Sequence, residues 1–128
     1  MPVKIQIKRI YDPKAATDGW RVLVDRLWPR GLAKEDAKID EWAKPISPSN
    51  ELRKWYGHDP DKWTEFQKKY RAELKGTRDE LRGLLDRCPE KTLTLLFAAK
   101  DVAHNQAVVL KAELDKLREN NVGTASPQ

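Results

Sequence analysis

The chain has 128 residues, a net charge of +5 and a single cysteine, with 39% hydrophobic and 35% charged residues. That is the length of one ordinary domain, with enough apolar material for one modest core and too much for a disordered chain. No apolar run approaches the ~18 residues of a membrane span, MPVKIQIKRI lacks the continuous apolar stretch of a secretory signal, and the lone Cys88 excludes an internal disulfide framework and a cysteine-built zinc site.

The expectation is therefore one cytoplasmic domain over residues 1–121, with no membrane attachment and a disordered polar tail at 122–128. Residues 1–34 carry eight Lys/Arg against three acids, which is the whole positive excess; the rest of the chain balances to zero. A basic N-terminal quarter suits an anionic partner: a phosphorylated or carboxylated small molecule, or nucleic acid.

Val3, Ile5 and Ile7 alternate with polar residues, which predicts a strand over about 3–11 with one wet face. Asp12-Pro13 and Asp18-Gly19 bracket a loop. Trp20–Trp28 centres on Val22-Leu23-Val24 and reads as a buried strand ended by Pro29-Arg30-Gly31. A helical turn at 34–37 and a short strand at 38–43 follow. Ser49 is a candidate N-cap for a helix ended by Gly57. Asp59-Pro60 opens the next helix, whose stripe of Trp63, Phe66, Tyr70 and Leu74 stops at Gly76. Thr77 and Glu80 have capping-box spacing for a third helix, through Leu81, Leu84 and Leu85 to Cys88-Pro89. Thr92–Ala99 is a second buried strand, and a last helix is expected from about Asp101 to Asn120.

Buried strands alternating with helices predict an α/β domain, with a small, mainly parallel sheet of three to four strands flanked by helices. Strands 21–28 and 92–99 are expected to lie parallel, as neighbours or near-neighbours. The link between the first two strands is short, which leaves an antiparallel pairing of those two open.

In such a sheet, ligands bind beyond the carboxyl ends of the strands. The first buried strand delivers Asp25, Arg26 and Arg30 there, and the second delivers Lys100, Asp101, His104 and Asn105. Arg30 precedes a glycine that admits close backbone approach, and its planar fork matches carboxylate or phosphate. His104, expected at the opening of the last helix, is the acid/base candidate, because a helix dipole favours its neutral form; Asp25 or Asp101 would orient it. Arg53 and His58 flank Trp55-Tyr56-Gly57, either a lid that stacks on a planar ligand with Arg53 on its anion, or core anchors at Trp55 and Tyr56 with His58 in a surface turn. For Asp101 the competing role is a helix N-cap, and for Asp25 a loop cap. Two histidines without i, i+4 spacing assign no metal, and no motif names a cofactor.

Arg21–Gly31, Leu52–Pro60, Trp63 with Phe66 and Tyr70–Leu74, and Leu95–Asp101 with His104-Asn105 closely resemble the YeaO-like proteins, small bacterial proteins grouped in a domain-of-unknown-function family. The likeness spans about residues 3–119. It implies an α/β fold and a bacterial cytosolic setting, and it names no reaction. A larger related family has cysteines and an arginine where this chain has Ala98 and Asn105, so thiol chemistry does not carry over.

The functional expectation is a site for an anionic metabolite or nucleotide at the sheet's C-terminal edge. Arg26, Arg30 and Arg53 would bind the anion, with His58, Lys100 and Asn105 beside it. An enzyme would use His104. The alternatives are a nucleic-acid module using the basic N-terminus with Trp55 and Tyr56, or a non-enzymatic interaction protein. Oligomeric state is left open.

Overall fold

Thr92–Phe97 (β4) lies inside the sheet because both of its faces are apolar; Leu93 through Phe97 are buried. It pairs in parallel with Lys4–Arg9 (β1) on one side and Trp20–Leu23 (β2) on the other. Glu41–Trp42 (β3) adds a short parallel edge beside β2, giving the order β1-β4-β2-β3. The structure is a computed structural model and describes residues 3–125.

The expected α/β domain with a parallel sheet is observed, and the strands at 20–23 and 92–97 are parallel neighbours. β1 and β2 do not pair. β4 lies between them, so the antiparallel option is corrected. The ten residues at 10–19 reach up to ~35 Å when extended, enough to run back along a six-residue strand. Gly19 lets this link pass close to β4: it has φ +64°, and a Cβ there would sit 2.2 Å from the Thr92 carbonyl oxygen.

Alternation along the strands divides the two faces. Val22, Val24, Leu93, Leu95 and Phe97 face the main core, under the helices. Leu23 and Leu96 face a smaller cluster with Ile10 and Ala37, against which Trp28 and Trp42 pack. On that second face Arg21 is also fully buried. Its Nη1 donates to Asp18 at 2.5 Å, and its Nε and Nη2 donate to the Lys38 and Ala37 carbonyls. Thr94 Oγ1 donates to the Asp18 carbonyl at 2.6 Å.

Lys34–Ala37 (α1) is a single turn, as expected. Asn50–Tyr56 (α2) starts where Ser49 accepts the Leu52 N–H and ends at left-handed Gly57. After Asp59-Pro60 the chain makes one 3-10 turn and then Trp63–Lys75 (α3), with Phe66, Tyr70 and Leu74 buried. Arg78–Arg87 (α4) begins without the expected capping box, because the Thr77 hydroxyl points back to the Leu74 carbonyl at 3.4 Å.

The last helix, Gln106–Ala125 (α5), starts five residues later than expected, and residues 126–128 of the expected tail lie outside the described residues. Asn105 is its N-cap: Oδ1 accepts the Ala107 and Val108 N–H groups, at 2.9 and 3.3 Å. Among the described residues no helix is long and apolar enough to cross a membrane.

Candidate functional site

Beyond the carboxyl ends of β2 and β4 the chain leaves a cavity of about 820 Å³. Four segments build it: 25–30 after β2, 53–58 at the end of α2, 98–101 after β4, and Gln106 at the start of α5. This is where a parallel sheet is open, since the strands stop before the helices begin to cover them.

The strand ends are fastened together at this edge. Val24 N–H donates to the Leu96 carbonyl at 3.0 Å. One residue on, the Asp25 carboxylate replaces the backbone as acceptor: Oδ2 takes the Ala98 N–H at 2.9 Å, and Oδ1 takes an N–H of the Gln106 amide. The Asp25 carbonyl accepts from Trp42 Nε1 at 2.7 Å. Arg9, at the end of β1, donates to the Ala98 and Ala99 carbonyls, holding the loop after β4 from the other side.

Burial pushes the Asp25 carboxyl up to about 6, against the lowering effect of the Ala98 N–H, the Gln106 amide and the Arg53 charge. It is a half-buried acid on the inner wall of a cavity whose other charged groups are mostly positive.

The cations differ in how far they are engaged. Arg26 donates to the Pro48 and Ser47 carbonyls, at 2.8 and 3.1 Å, and so anchors the loop at 44–48 as well as lining the cavity. Arg53 has a buried Nε with no hydrogen-bond partner, and its Nη2 makes only a 3.4 Å contact with Asn50. Arg30, Lys54 and Lys100 line the cavity from exposed positions. The Arg30 carbonyl accepts from the Tyr11 hydroxyl at 2.9 Å, which fixes that turn. His58 lines the cavity from a left-handed position with φ 57°, directly after Gly57.

Asp101 reaches the rim but is occupied locally. Its Oδ1 accepts the Ala103 and His104 N–H groups, and its Oδ2 lies 2.9 Å from His104 Nδ1. The Ala103 N–H, followed by the His104 side chain, holds this carboxyl below its ordinary range.

Two expected site residues are directed elsewhere. The His104 ring contacts Asp101 and stands nearly at right angles to the Trp63 ring, 5.3 Å between ring centroids, and does not line the cavity. Its carbonyl accepts from the Tyr56 hydroxyl at 2.9 Å. Asn105 is buried and spent as the α5 cap. Helix α5 starts after both residues, so His104 sits in the turn before it. The expected helix-opening histidine and the expected cap at Asp101 are both corrected.

The cavity thus brings together Asp25, Arg26, Arg30, Arg53, His58, Lys100 and Asp101. It also recruits Gln106, Lys54, Tyr11 and Trp28, which spacing alone does not single out, and the inner rings Tyr56 and Phe66, stacked at 4.3 Å. Lys54 and Trp28 belong to stretches that the sequence marks as unusual. Gln106 carries no such signal, because its partner is 81 residues away. Cys88 lies at the opposite end of β4, 4.0 Å from the Thr92 carbonyl, and burial pushes its thiol up. Among the described residues no three His, Cys, Asp or Glu side chains cluster closely enough to hold a metal ion.

The chain is 46% identical over 108 residues to the uncharacterized protein YeaO of Escherichia coli strain K12, covering 84% of this chain and 94% of that one. It is 39% identical over 109 residues to the uncharacterized proteins Mb3100c of Mycobacterium bovis and Rv3073c of Mycobacterium tuberculosis, covering 84% of this chain and 90% of each. No solved structure matches it. The family model described as the inactive DUF488-N3 subclade matches residues 4–128, nearly the whole length, and the chain belongs to that family.

Proposed function

We propose that the cavity at the C-terminal edge of the sheet binds a small organic anion. The observation that carries this reading is the convergence of Arg26, Arg30, Arg53, Lys54 and Lys100 on one open cavity. The Arg53 side chain makes only the 3.4 Å contact of its Nη2 with Asn50, so its outer N–H groups are available to a carboxylate or phosphate. Arg30, Lys54 and Lys100 add positive charge around it. The volume, about 820 Å³, lies within the range of small-molecule sites.

Binding without turnover is the form we favour. His104, the acid/base candidate, is held by Asp101 and Trp63 away from the cavity, and the matched family is described as inactive. A cytoplasmic setting belongs to the same proposal, because one free thiol suits a reducing compartment.

The test is a thermal-shift screen of phosphorylated and carboxylated metabolites on the native chain, repeated on Arg30→Lys and Arg53→Lys. At least one anion should raise the melting temperature, and each substitution should weaken it about tenfold, because lysine keeps the charge but loses the planar fork. No stabilising anion, or hits unchanged in both variants, would sink the proposal.

A further inference from the structure

The cavity has an end that the anion reading does not use. Asp25 and Gln106 sit together on its wall and are less exposed than the rim cations Arg30 and Lys100. Asp25 gives one acceptor position of each oxygen to the protein, to Ala98 and to Gln106. An ionised carboxylate has about four such positions, so acceptor capacity remains.

The Gln106 amide is oriented by two acceptors on one side, Asp25 Oδ1 and the Val24 carbonyl at 3.4 Å, which fixes its nitrogen toward them. Its Oε1 takes no hydrogen bond from the described residues, on a side chain that lines the cavity. Asp25 and Gln106 thus leave acceptor capacity on the wall of the cavity that the stacked Tyr56 and Phe66 rings also line.

Resting on the anion reading, we infer that the ligand is dipolar: an organic anion whose opposite end presents an N–H donor to Asp25 and Gln106, with a flat or apolar body between. Such a ligand satisfies both ends. A bare anion leaves the acceptor end without a donor, and a cation is repelled by the arginines and lysines at the rim. The anion can be a phosphate or a carboxylate, since both match a guanidinium fork.

Isothermal titration of the native chain at pH 7.5 with two matched pairs separates these cases. The first pair is AMP against purine riboside 5′-monophosphate, which lacks only the exocyclic amine. The second is 4-aminobenzoate against benzoate. In at least one pair the amino compound should bind about tenfold tighter, the strength of one hydrogen bond to a charged acceptor. The pair that shows the gap tells phosphate from carboxylate.

Asp25→Asn, which keeps the shape and removes the charge, should bring that pair within about twofold. Equal binding within both pairs, or a gap that survives Asp25→Asn, overturns the inference. If the anion screen still yields hits dependent on Arg30 and Arg53, the anion reading stands without it. If none of the four probes binds, the inference falls; if the screen is also empty, the anion reading falls too.

Discussion

A carboxyl group buried at the end of β2 costs the folded chain free energy at neutral pH. Asp25 moves from an ordinary 3.8 to about 6 on folding, chiefly by loss of water. Below about pH 4 both states are protonated and there is no penalty. Between about pH 4 and 6 the folded chain keeps a proton that the unfolded chain has lost, so stability falls as pH rises; above 6 the full cost, about 3 kcal/mol, applies. Asp25→Asn should therefore stabilise the protein by about 1–3 kcal/mol at pH 7.5 and hardly at all at pH 4. Urea unfolding at the two pH values checks this, and an equal effect at both would contradict it. Stability given up at a cavity-lining acid is the pattern expected where a site trades stability for function.

Arg21 gives the opposite sign. It is fully buried and satisfies buried Asp18, so Arg21→Ala should cost about 3–5 kcal/mol in the same measurement. A loss under about 1 kcal/mol would mean that Lys8, which also pairs with Asp18 at 3.0 Å, suffices for that carboxylate.

Among the elements, α5 depends on its first residues. Asn105→Ala removes the acceptor for two N–H groups and should cost about 1–2 kcal/mol. His104→Ala should leave the fold intact, since the ring is partly exposed and its one polar side-chain contact is to Asp101.

The same region shows why parts of the chain were legible and others were not. β2 and β4 announce themselves because strands covered on both faces read as unbroken apolar runs, and Ser49 and Gly57 mark α2 by local capping alone. Asp101 and Asn105 are both able to cap a helix. The choice between them is made by the Asn105 amide, which donates to the Asp101 carbonyl while its oxygen turns to the helix. Spacing does not reveal that choice. The strand edge that carries the cavity was legible from Asp25, Arg30 and Lys100. The Asp25–Gln106 contact was not, because only the folded sheet brings those residues together.

At the scale of the whole molecule, half of the basic N-terminal quarter is engaged by the protein, while Lys4, Lys14, Arg30 and Lys34 are exposed. Lys8 pairs with Asp18, Arg9 and Arg26 hold backbone carbonyls, and Arg21 is buried. A stripe able to track phosphates along a nucleic acid would need these charges outside. Binding to mixed DNA or RNA should accordingly be weak even at ~50 mM salt, and tight binding lost by ~200 mM would reverse the ranking of the two partners.

Arg30 of that quarter lies with Arg53, Lys54 and Lys100 at one sheet edge, where separate segments of the chain converge. The most direct test of that convergence is amide NMR mapping with the strongest anion from the screen. The account predicts shifts confined to residues 25–30, 53–58, 98–101 and the first turn of α5, saturating together with one affinity. Shifts centred on β1 and the exposed lysines of α3, or spread evenly over surface lysines without saturation, would contradict it.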